Sequence, residues 1–447
     1  MKIAFHTLGC KVNQYETESM KEQFAAAGHE IVGEEDPADV YIINTCTVTN
    51  LADRKSRQYI RRMKKQCPQA IVAVTGCYAQ VKPEELTAME EVDIVAGTGE
   101  KNQLLSYVEQ FRADRQAQLH IRSYEELTEY TDQGIITSME SRTRAYLKIQ
   151  EGCNRFCAYC LIPFARGQVR SRDPEEIVEE ARALVASGFK ELILTGINTA
   201  LYGTEEGFRW PLTENEKADG VSGIEIIIRR INCLPGNFRI RLSSLEPTVV
   251  NAEYVKRLLK YERLCPHLHL SIQSGSDHIL KAMNRRYDRQ EYLDIVRVLK
   301  EHDPGYGITT DIIAGFPGET EEDFQDSLDM IRTVEFCKVH GFRYSRRPGT
   351  AAAAMTGQVG GEEKNRRIQR LLAEGKKAER MYFAGCAKRG EVRTVLFEEA
   401  EEGLLIGYSE NYIKVYAAGG EELLNSFQKV RLLEEYKDGM KGELING

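Results

Sequence analysis

The chain has 447 residues, about three domains of ordinary size, which excludes a small scaffold that depends on disulfides. Hydrophobic residues make up 42% and charged residues 29%, and these globular proportions exclude a disordered or membrane-embedded chain. The formal net charge of −8 argues against a surface that binds nucleic acid indiscriminately, although it leaves room for local basic patches.

The first 113 residues alternate short apolar runs with amphipathic segments, the pattern of βα units that build a parallel sheet. Strands are predicted at Lys2–Leu8, Asp39–Asn44, Ala70–Thr75 and Asp93–Ala96, and helices near Glu16–Ala27, Leu51–Lys65, Pro83–Glu90 and Asn102–Arg112. We therefore expect an N-terminal parallel α/β domain at residues 1–113. Residues 114–143 are polar and weakly periodic, which predicts a linker with one strand at Gly134–Thr137.

A second α/β domain is predicted at residues 144–358. Its strand candidates are Ala145–Ile149, Glu191–Leu194, Arg239–Leu242, His267–Ile272, Ile308–Ile313 and Val339–Tyr344. Helices are predicted at Pro174–Ser187, Val249–Arg263, Asp277–Glu301 and Thr320–Glu335, with an inserted loop at Tyr202–Gly223. Six successive βα units favour a partial (β/α)6 barrel, in which chemistry is expected at the carboxyl ends of the strands.

The C-terminal part is predicted to be a helix followed by β-structure. A basic helical connector is expected at residues 359–383, and a small antiparallel β-barrel at residues 384–440. The barrel strands are predicted at Val392–Phe397, Leu404–Tyr408, Ile413–Tyr416 and Gln428–Leu433, where apolar runs alternate with glycines and acidic turns.

Eleven cysteines are the unusual feature of the composition. An odd number is poor evidence for paired disulfides, and no secretory signal is found at the start of the chain. No apolar run approaches the ~18 residues that span a bilayer, so we expect a cytoplasmic protein without membrane contact, with thiolates available to a metal. The cysteines without a recognisable pattern are expected to be packing residues: Cys67, Cys233, Cys265, Cys337 and Cys386.

Three cysteines, here called the loop cysteines, form a C-x3-C-x2-C run directly after a predicted strand: Cys153, Cys157 and Cys160. Soft thiolates at this density select an iron–sulfur cluster or zinc. A structural zinc site closes with a fourth Cys or His nearby, but no histidine lies between His120 and His267 and no further cysteine before Cys233. Three ligands with an open fourth position favour a [4Fe–4S] cluster, with structural zinc or buried thiols as the alternative.

Three other cysteines, here called the strand-end cysteines, each follow a predicted strand of the N-terminal domain: Cys10, Cys46 and Cys77. The carboxyl ends of parallel strands gather at one edge of a sheet, where ligands bind. The glycines before Cys10 and Cys77 permit close approach of the backbone to a cluster. A second site of three thiolates is therefore expected, with small hydrophobic packing residues as the alternative.

Motifs beyond the cysteines extend over nearly the whole chain. The loop cysteines precede Leu-Ile-Pro-Phe-Ala-Arg-Gly167, and the strand-end cysteines lie in Gly9-Cys-Lys-Val-Asn13, Asn44-Thr-Cys-Thr-Val48 and Thr75-Gly-Cys-Tyr-Ala-Gln80. Further motifs are Thr195–Asn198, Arg241–Pro247, Leu270–Ser276, Lys281–Tyr287 and Asp311–Gly318. In these segments the chain resembles the tRNA methylthiotransferases of the radical S-adenosylmethionine (SAM) superfamily. Within that family, His6–Tyr15 and the basic residues 54–65 resemble the branch that acts on N6-threonylcarbamoyladenosine (t6A).

The resemblance implies an enzyme with two [4Fe–4S] clusters that installs a methylthio group at C2 of t6A, at position 37 of tRNA. The cluster on the loop cysteines would reduce SAM to methionine and a 5′-deoxyadenosyl radical. The auxiliary cluster on the strand-end cysteines would carry the sulfur. The resemblance also implies a TRAM-type, oligonucleotide-binding-like C-terminal barrel, the tRNA anticodon stem-loop as substrate and an external electron donor. An unactivated aromatic C–H bond requires such a cofactor, because side chains cannot deprotonate it at neutral pH.

Polar residues and glycines at the strand carboxyl ends are the expected SAM contacts: Thr195, Gly196, Glu246, Gln273 and Gly315. Glycines let the backbone approach adenine, and Gln and Glu can bond the ribose or the methionyl group. The plain alternatives are glycines that only end strands and a solvated carboxylate. His269 alternates with leucines and is expected to be a hydrogen-bonded core histidine.

Residues 54–65 hold seven basic residues and no acid. On a helix close to Cys46, this stripe is expected to bind tRNA phosphates, and the candidate contacts are Arg54, Lys55, Arg57, Arg61 and Arg62. The alternative is a solvated helix face.

The C-terminal region from residue 385 to 447 holds eight basic and twelve acidic residues, an unexpected balance for a domain that binds RNA. Two explanations are open. Either four basic residues share one face of the barrel, namely Lys388, Arg389, Arg393 and Lys414, or the barrel contributes aromatic contacts from Tyr408 and Tyr412.

Other functions remain open at this point. A methylthiotransferase of the same family can act on isopentenyladenosine in tRNA or on an aspartate of a ribosomal protein. A non-catalytic iron–sulfur protein that binds RNA and senses redox state belongs to a different class. That class predicts an RNA affinity that changes with cluster oxidation, and no 5′-deoxyadenosine formed from SAM.

Overall fold

The computed structural model describes residues 1–130, 134, 136, 143–208 and 211–445. Residues 135 and 137 of the predicted strand Gly134–Thr137 lie outside the described residues, so this prediction stays untested. The chain folds into two α/β domains and a C-terminal barrel. The predicted fold class is thereby confirmed, with several differences in detail.

The N-terminal domain is a six-stranded parallel sheet in the order β2-β1-β3-β4-β5-β6. Its strands are β1 Lys2–Thr7, β2 Glu30–Val32, β3 Val40–Thr45, β4 Ile71–Gly76, β5 Ile94–Ala96 and β6 Gln118–His120. Its helices are α1 Lys11–Ala26, α2 Asn50–Gln66, α3 Cys77–Val81, α4 Pro83–Thr87 and α5 Leu104–Asp114. The predicted linker at residues 114–143 begins too early, because β6 pairs with β5 and extends the sheet to residue 120. Both missed strands, β2 and β6, have three residues, too few for a visible periodicity.

The central domain contains two four-stranded sheets, β10-β9-β7-β8 and β11-β12-β13-β14. The strands are β7 Arg144–Glu151, β8 Arg170–Ser171, β9 Glu191–Gly196, β10 Arg239–Leu242, β11 Ser244–Leu245, β12 His267–Leu270, β13 Gly307–Ala314 and β14 Lys338–Arg343. Only Ser243 separates β10, which pairs with β9, from β11, which pairs with β12. The two sheets are therefore halves of one partial barrel of six parallel strands, as predicted.

The helices of the central domain are α6 Ile162–Arg166, α7 Pro174–Ala186, α8 Glu214–Ala218, α9 Ile224–Asn232, α10 Ala252–Leu258, α11 Asp277–Ala282, α12 Arg289–His302, α13 Glu321–Val334 and α14 Ala351–Ala354. One long helix was predicted where α11 and α12 occur. The chain breaks there because Asn284 adopts a left-handed conformation, φ 60°, and Asp288 caps α12 with a capping box. The predicted loop at Tyr202–Gly223 contains α8, which has its own capping box.

The C-terminal part begins with α15, Gly361–Lys388, which is longer than the predicted connector and packs against β14. A closed barrel follows in the order β15-β16-β17-β19-β18. Its strands are β15 Val392–Glu401, β16 Leu404–Ser409, β17 Lys414–Ala418, β18 Phe427–Tyr436 and β19 Gly439–Leu444. The unpredicted β19 contains two glycines, which lower β-propensity, yet it closes the barrel by pairing in parallel with β17. In the described ranges, no helix is long and apolar enough to cross a membrane.

Candidate functional site

A cavity of about 860 Å³ lies where all three folded parts meet. The N-terminal domain contributes the start of α1, the central domain the loop cysteines and its strand ends, and the C-terminal barrel Tyr412. Four buried polar atoms of its wall have no hydrogen-bond partner among the described residues: Asn198 Oδ1, Ser243 Oγ, Arg285 Nε and His267 Nδ1. Because buried polar groups are normally paired, these atoms indicate a polar ligand.

All three loop cysteines line this cavity. Their loop is held by Cys153 N, which donates to Gly167 O at 3.1 Å, and by the Asn284 side chain, which donates to the carbonyls of residues 155 and 156 at 3.1 and 3.0 Å. Burial raises the pKa of Cys153 to about 11 and that of Cys160 to about 12. The thiols therefore keep their protons at neutral pH until a metal displaces them.

The strand-end cysteines follow β1, β3 and β4, as predicted from their positions. Gly9 has a φ of 115°, and a Cβ at this position would lie 2.8 Å from Cys46 Cβ, so only glycine fits beside this thiol. Burial and then the Cys77 thiol raise the pKa of Cys46 to about 12, and Cys10 adds to the raised pKa of Cys77. The three thiols thus lie within electrostatic reach of one another, and Cys10 lines the cavity.

The donor chemistry of both sets fits iron–sulfur clusters. Among the described residues, no three potential ligands lie close enough together to hold a single metal ion. In a [4Fe–4S] cluster each thiolate binds a different iron, which spreads the ligands farther apart. Of the five cysteines expected to be packing residues, Cys265, Cys337 and Cys386 are buried, whereas Cys233 is exposed and does not fit that expectation.

Four of the five predicted SAM contacts line the cavity: Thr195, Gly196, Glu246 and Gln273. Gln273 is buried and adopts a φ of 67°, a strained conformation of the kind that occurs at ligand sites. Gly315 is placed elsewhere, because its N–H bonds Glu319 and a Cβ there would meet Lys364 of α15 at 2.4 Å. Gly315 is therefore no longer a candidate SAM contact. His269 is hydrogen-bonded, to Thr309 and Asp311, but it lines the cavity rather than the core.

Glu246 is the centre of a polar cluster that the sequence motifs did not reveal. Its carboxylate accepts hydrogen bonds from Arg155 at 3.0 Å, from Arg285 at 2.9 Å and from Asn198 at 2.8 Å. Arg285 also contributes to the electrostatic environment of Cys157. Two arginines against one carboxylate leave one excess positive charge next to the loop cysteines, where an anionic group can bind.

A buried charge network joins the N-terminal domain to the central domain. Arg166 of α6 donates to Cys77 Sγ at 3.1 Å and to Glu16 of α1 at 2.5 Å. Glu16 also accepts from Lys101 and from Lys148 of β7. Although burial alone would raise the pKa of Glu16, Arg166, Lys101 and Lys148 hold it well below its ordinary value. The network therefore connects Cys77 of the strand-end set to the helix that follows the loop cysteines.

The basic residues of α2 divide into two groups. Arg57, Arg61 and Arg62 form ion pairs with Glu85, Glu91 and Glu35. Arg54 and Lys55 are exposed and, in the part of the chain that the structure describes, form no hydrogen bond or ion pair.

In the C-terminal barrel, Arg389, Arg393 and Lys414 are likewise paired with acids, whereas Tyr412 reaches the cavity and stacks on Tyr408. Three of the four basic residues of the first explanation are therefore paired, and the second explanation stays a prediction.

Comparisons with known proteins identify both α/β domains. The model of the Radical SAM superfamily matches residues 147–331, and that of the uncharacterized protein family UPF0004 matches residues 2–97. The radical SAM methyltransferase TsrM from Kitasatospora setae, solved with cobalamin and a [4Fe–4S] cluster, has a TM-score of 0.56 at 15% identity, covering 78% of this chain and 76% of that chain. This structural likeness supports the fold.

Curated relatives extend over the full chain. The threonylcarbamoyladenosine tRNA methylthiotransferase MtaB of Bacillus subtilis is 42% identical, covering 99% of this chain and 96% of the relative. MtaB of Thermotoga maritima is 36% identical, covering 100% and 98%. The tRNA-2-methylthio-N6-dimethylallyladenosine synthase of Caldicellulosiruptor saccharolyticus is 34% identical, covering 98% and 91%. The chain therefore belongs to the radical SAM methylthiotransferase family and is an enzyme, with an iron–sulfur cluster and SAM as cofactors.

Proposed function

We propose that this enzyme methylthiolates C2 of N6-threonylcarbamoyladenosine at position 37 of tRNA, using two [4Fe–4S] clusters. The observation that supports the proposal is the shared cavity, whose wall includes both Cys10 of the strand-end set and the three loop cysteines. The Bacillus subtilis relative named for t6A is 42% identical over 99% of this chain, against 34–37% over 82–98% for four relatives named for dimethylallyladenosine. These identities favour the t6A product over the isopentenyladenosine alternative.

The residues of the chain have separate tasks in this proposal. When bound, the clusters and SAM supply the 5′-deoxyadenosyl radical, the sulfur and the methyl group, with electrons from an external donor. The loop cysteines would hold one cluster, and the strand-end cysteines the auxiliary cluster. Arg155 and Arg285 orient an anionic ligand beside the loop, and Gln273 and Thr195 present polar groups to it.

Nucleoside analysis tests the product directly. We expect tRNA from a strain that lacks the gene to contain t6A without its 2-methylthio derivative, while 2-methylthio-isopentenyladenosine is unchanged. Mass spectrometry of digested tRNA measures both nucleosides. Expression of the gene in the deletion strain is the control and should restore only the t6A derivative. Loss of the isopentenyl derivative instead would contradict the proposed substrate.

We further propose that the exposed part of α2 binds tRNA phosphates through Arg54 and Lys55. Replacing both by glutamine should weaken tRNA binding about tenfold at low salt and reduce the slope of log K against log salt by about two, because two phosphate contacts are lost. Fluorescence anisotropy over a salt series measures this change. The matched control replaces Arg61 and Arg62 of the same helix, whose guanidinium groups already face acids. Equal effects of the two double variants would contradict the division of α2.

A further inference from the structure

The cavity wall contains four Lys or Arg cations, and three of them are already paired with carboxylates. Arg155 and Arg285 share Glu246, and Arg241 forms two hydrogen bonds to Glu191 at 2.8 and 2.9 Å. Arg241 also donates to two carbonyls of the C-terminal barrel. Its guanidinium group therefore has little capacity left for a ligand.

Lys11 is the exception among these cations. It lines the cavity as the first residue of α1, directly after Cys10. In the described part of the chain, its ammonium group forms no hydrogen bond, ion pair or contact with an aromatic ring. An ammonium group that is partly buried without a partner loses hydration and gains nothing in return, so the arrangement indicates an anionic ligand.

His267 gives a second, independent indication. Its ring is 3% exposed, and Nε2 bonds Thr309 while Nδ1 has no partner within the described ranges. The Tyr412 ring stacks on it at 4.5 Å and fixes its orientation. His267 and Lys11 line the same cavity, and burial, Arg241, His269 and then Lys11 lower the pKa of His267.

Two anionic ligands need two positive sites in this cavity. The methionyl carboxylate of SAM is one anion, and the excess charge of Arg155 and Arg285 lies beside the loop cysteines. The positive site at Lys11 lies beside Cys10 instead. The second anion is the carboxylate of the threonyl group of t6A. Isopentenyladenosine has no such group.

We propose that Lys11 and the Nδ1 atom of His267 bind the carboxylate of the threonylcarbamoyl group of the substrate nucleoside. This inference rests on the proposed function and makes Lys11 a specificity-determining residue for it. The contact is a charge-assisted hydrogen bond within a desolvated cavity, where such bonds are strong. A neutral N6 substituent would leave Lys11 unpaired and would be disfavoured for that reason.

Binding of two synthetic anticodon stem-loops to the cluster-loaded protein tests the proposal. One carries t6A at position 37, and the other carries its threonyl methyl ester, which has the same shape without the charge. The wild type should bind the free acid about 10- to 100-fold more tightly than the ester. Lys11→Met should bind both equally, and Lys11→Arg should restore the preference. The control Lys260→Met removes an exposed lysine outside the cavity wall and should keep the full preference.

Each other outcome has a defined meaning. If Lys11→Met still prefers the free acid, the proposal is overturned. If this variant has also lost affinity for SAM, Lys11 is assigned to the SAM carboxylate instead. Iron content and circular dichroism identify a misfolded variant, in which case the isosteric ester comparison is repeated with Lys11→Gln and with His267→Asn. A wild type that produces no 2-methylthio-t6A and shows no preference would instead refute the proposed function itself.

Discussion

Replacement of Cys157 by alanine is expected to abolish the cleavage of SAM to 5′-deoxyadenosine. Cys157 lines the cavity together with the other two loop cysteines, and Arg285 lies within its electrostatic reach. Without this thiolate the loop retains two ligands, too few to hold a cluster with one open iron. Iron content should fall by about four per chain, from about eight in the reconstituted protein. Anaerobic reconstitution, iron analysis and chromatography of 5′-deoxyadenosine measure these quantities.

The matched control is Cys46→Ala, which removes a strand-end cysteine. It should also lose about four irons but keep SAM cleavage, because the loop cysteines are intact. Insertion of the methylthio group should stop in this variant. If a folded Cys46→Ala protein lost SAM cleavage to the same extent as Cys157→Ala, the separate tasks of the two cysteine sets would be refuted. A reconstituted wild type that holds only zinc would refute both clusters.

The fold was largely predictable because its strands are long enough to show their pattern. β3 and β4 are buried over their whole length, as expected for strands covered on both faces, and together with β1 they identified the sheet edge that carries the strand-end cysteines. The strand β6 was missed since three residues show no periodicity, and β19 because its glycines lower β-propensity. Both elements are recognisable only from the strands they pair with.

The candidate site was predictable only where the spacing of residues along the sequence indicates that they lie together. The cysteines stand at strand ends or at fixed intervals, so their grouping is visible in the sequence. Arg155 and Arg285 lie 130 positions apart and meet only at Glu246, although both occur within motifs that carry the family resemblance. Lys11 follows a cysteine in such a motif, but its missing partner is evident only once the cavity wall is assembled. Contacts between distant segments depend on topology, which residue patterns do not specify.

Replacement of Glu16 by glutamine is expected to reduce the free energy of unfolding by about 3–5 kcal/mol, because it leaves buried cations without their central carboxylate. Glu16 is 1% exposed and faces Arg166, Lys101 and Lys148. Since its folded-state pKa is lowered, the carboxylate stabilises the fold at pH values above its unfolded pKa, and this contribution disappears as the pH falls through the folded value. Urea denaturation of the cluster-free protein at pH 7 measures the difference.

Glu35→Gln is the matched control, because Glu35 pairs with Arg62 at the surface with about half of each side chain exposed. An exposed pair of this kind contributes at most about 1 kcal/mol. The network around Glu16 spans the domain boundary and ends at Cys77 Sγ, so its loss should loosen one cysteine set relative to the other. Glu16→Gln should therefore reduce methylthio transfer more than SAM cleavage, which depends on the loop cysteines and the polar residues beside them. Equal stability losses in the two variants would show that the buried network does not hold the domains together.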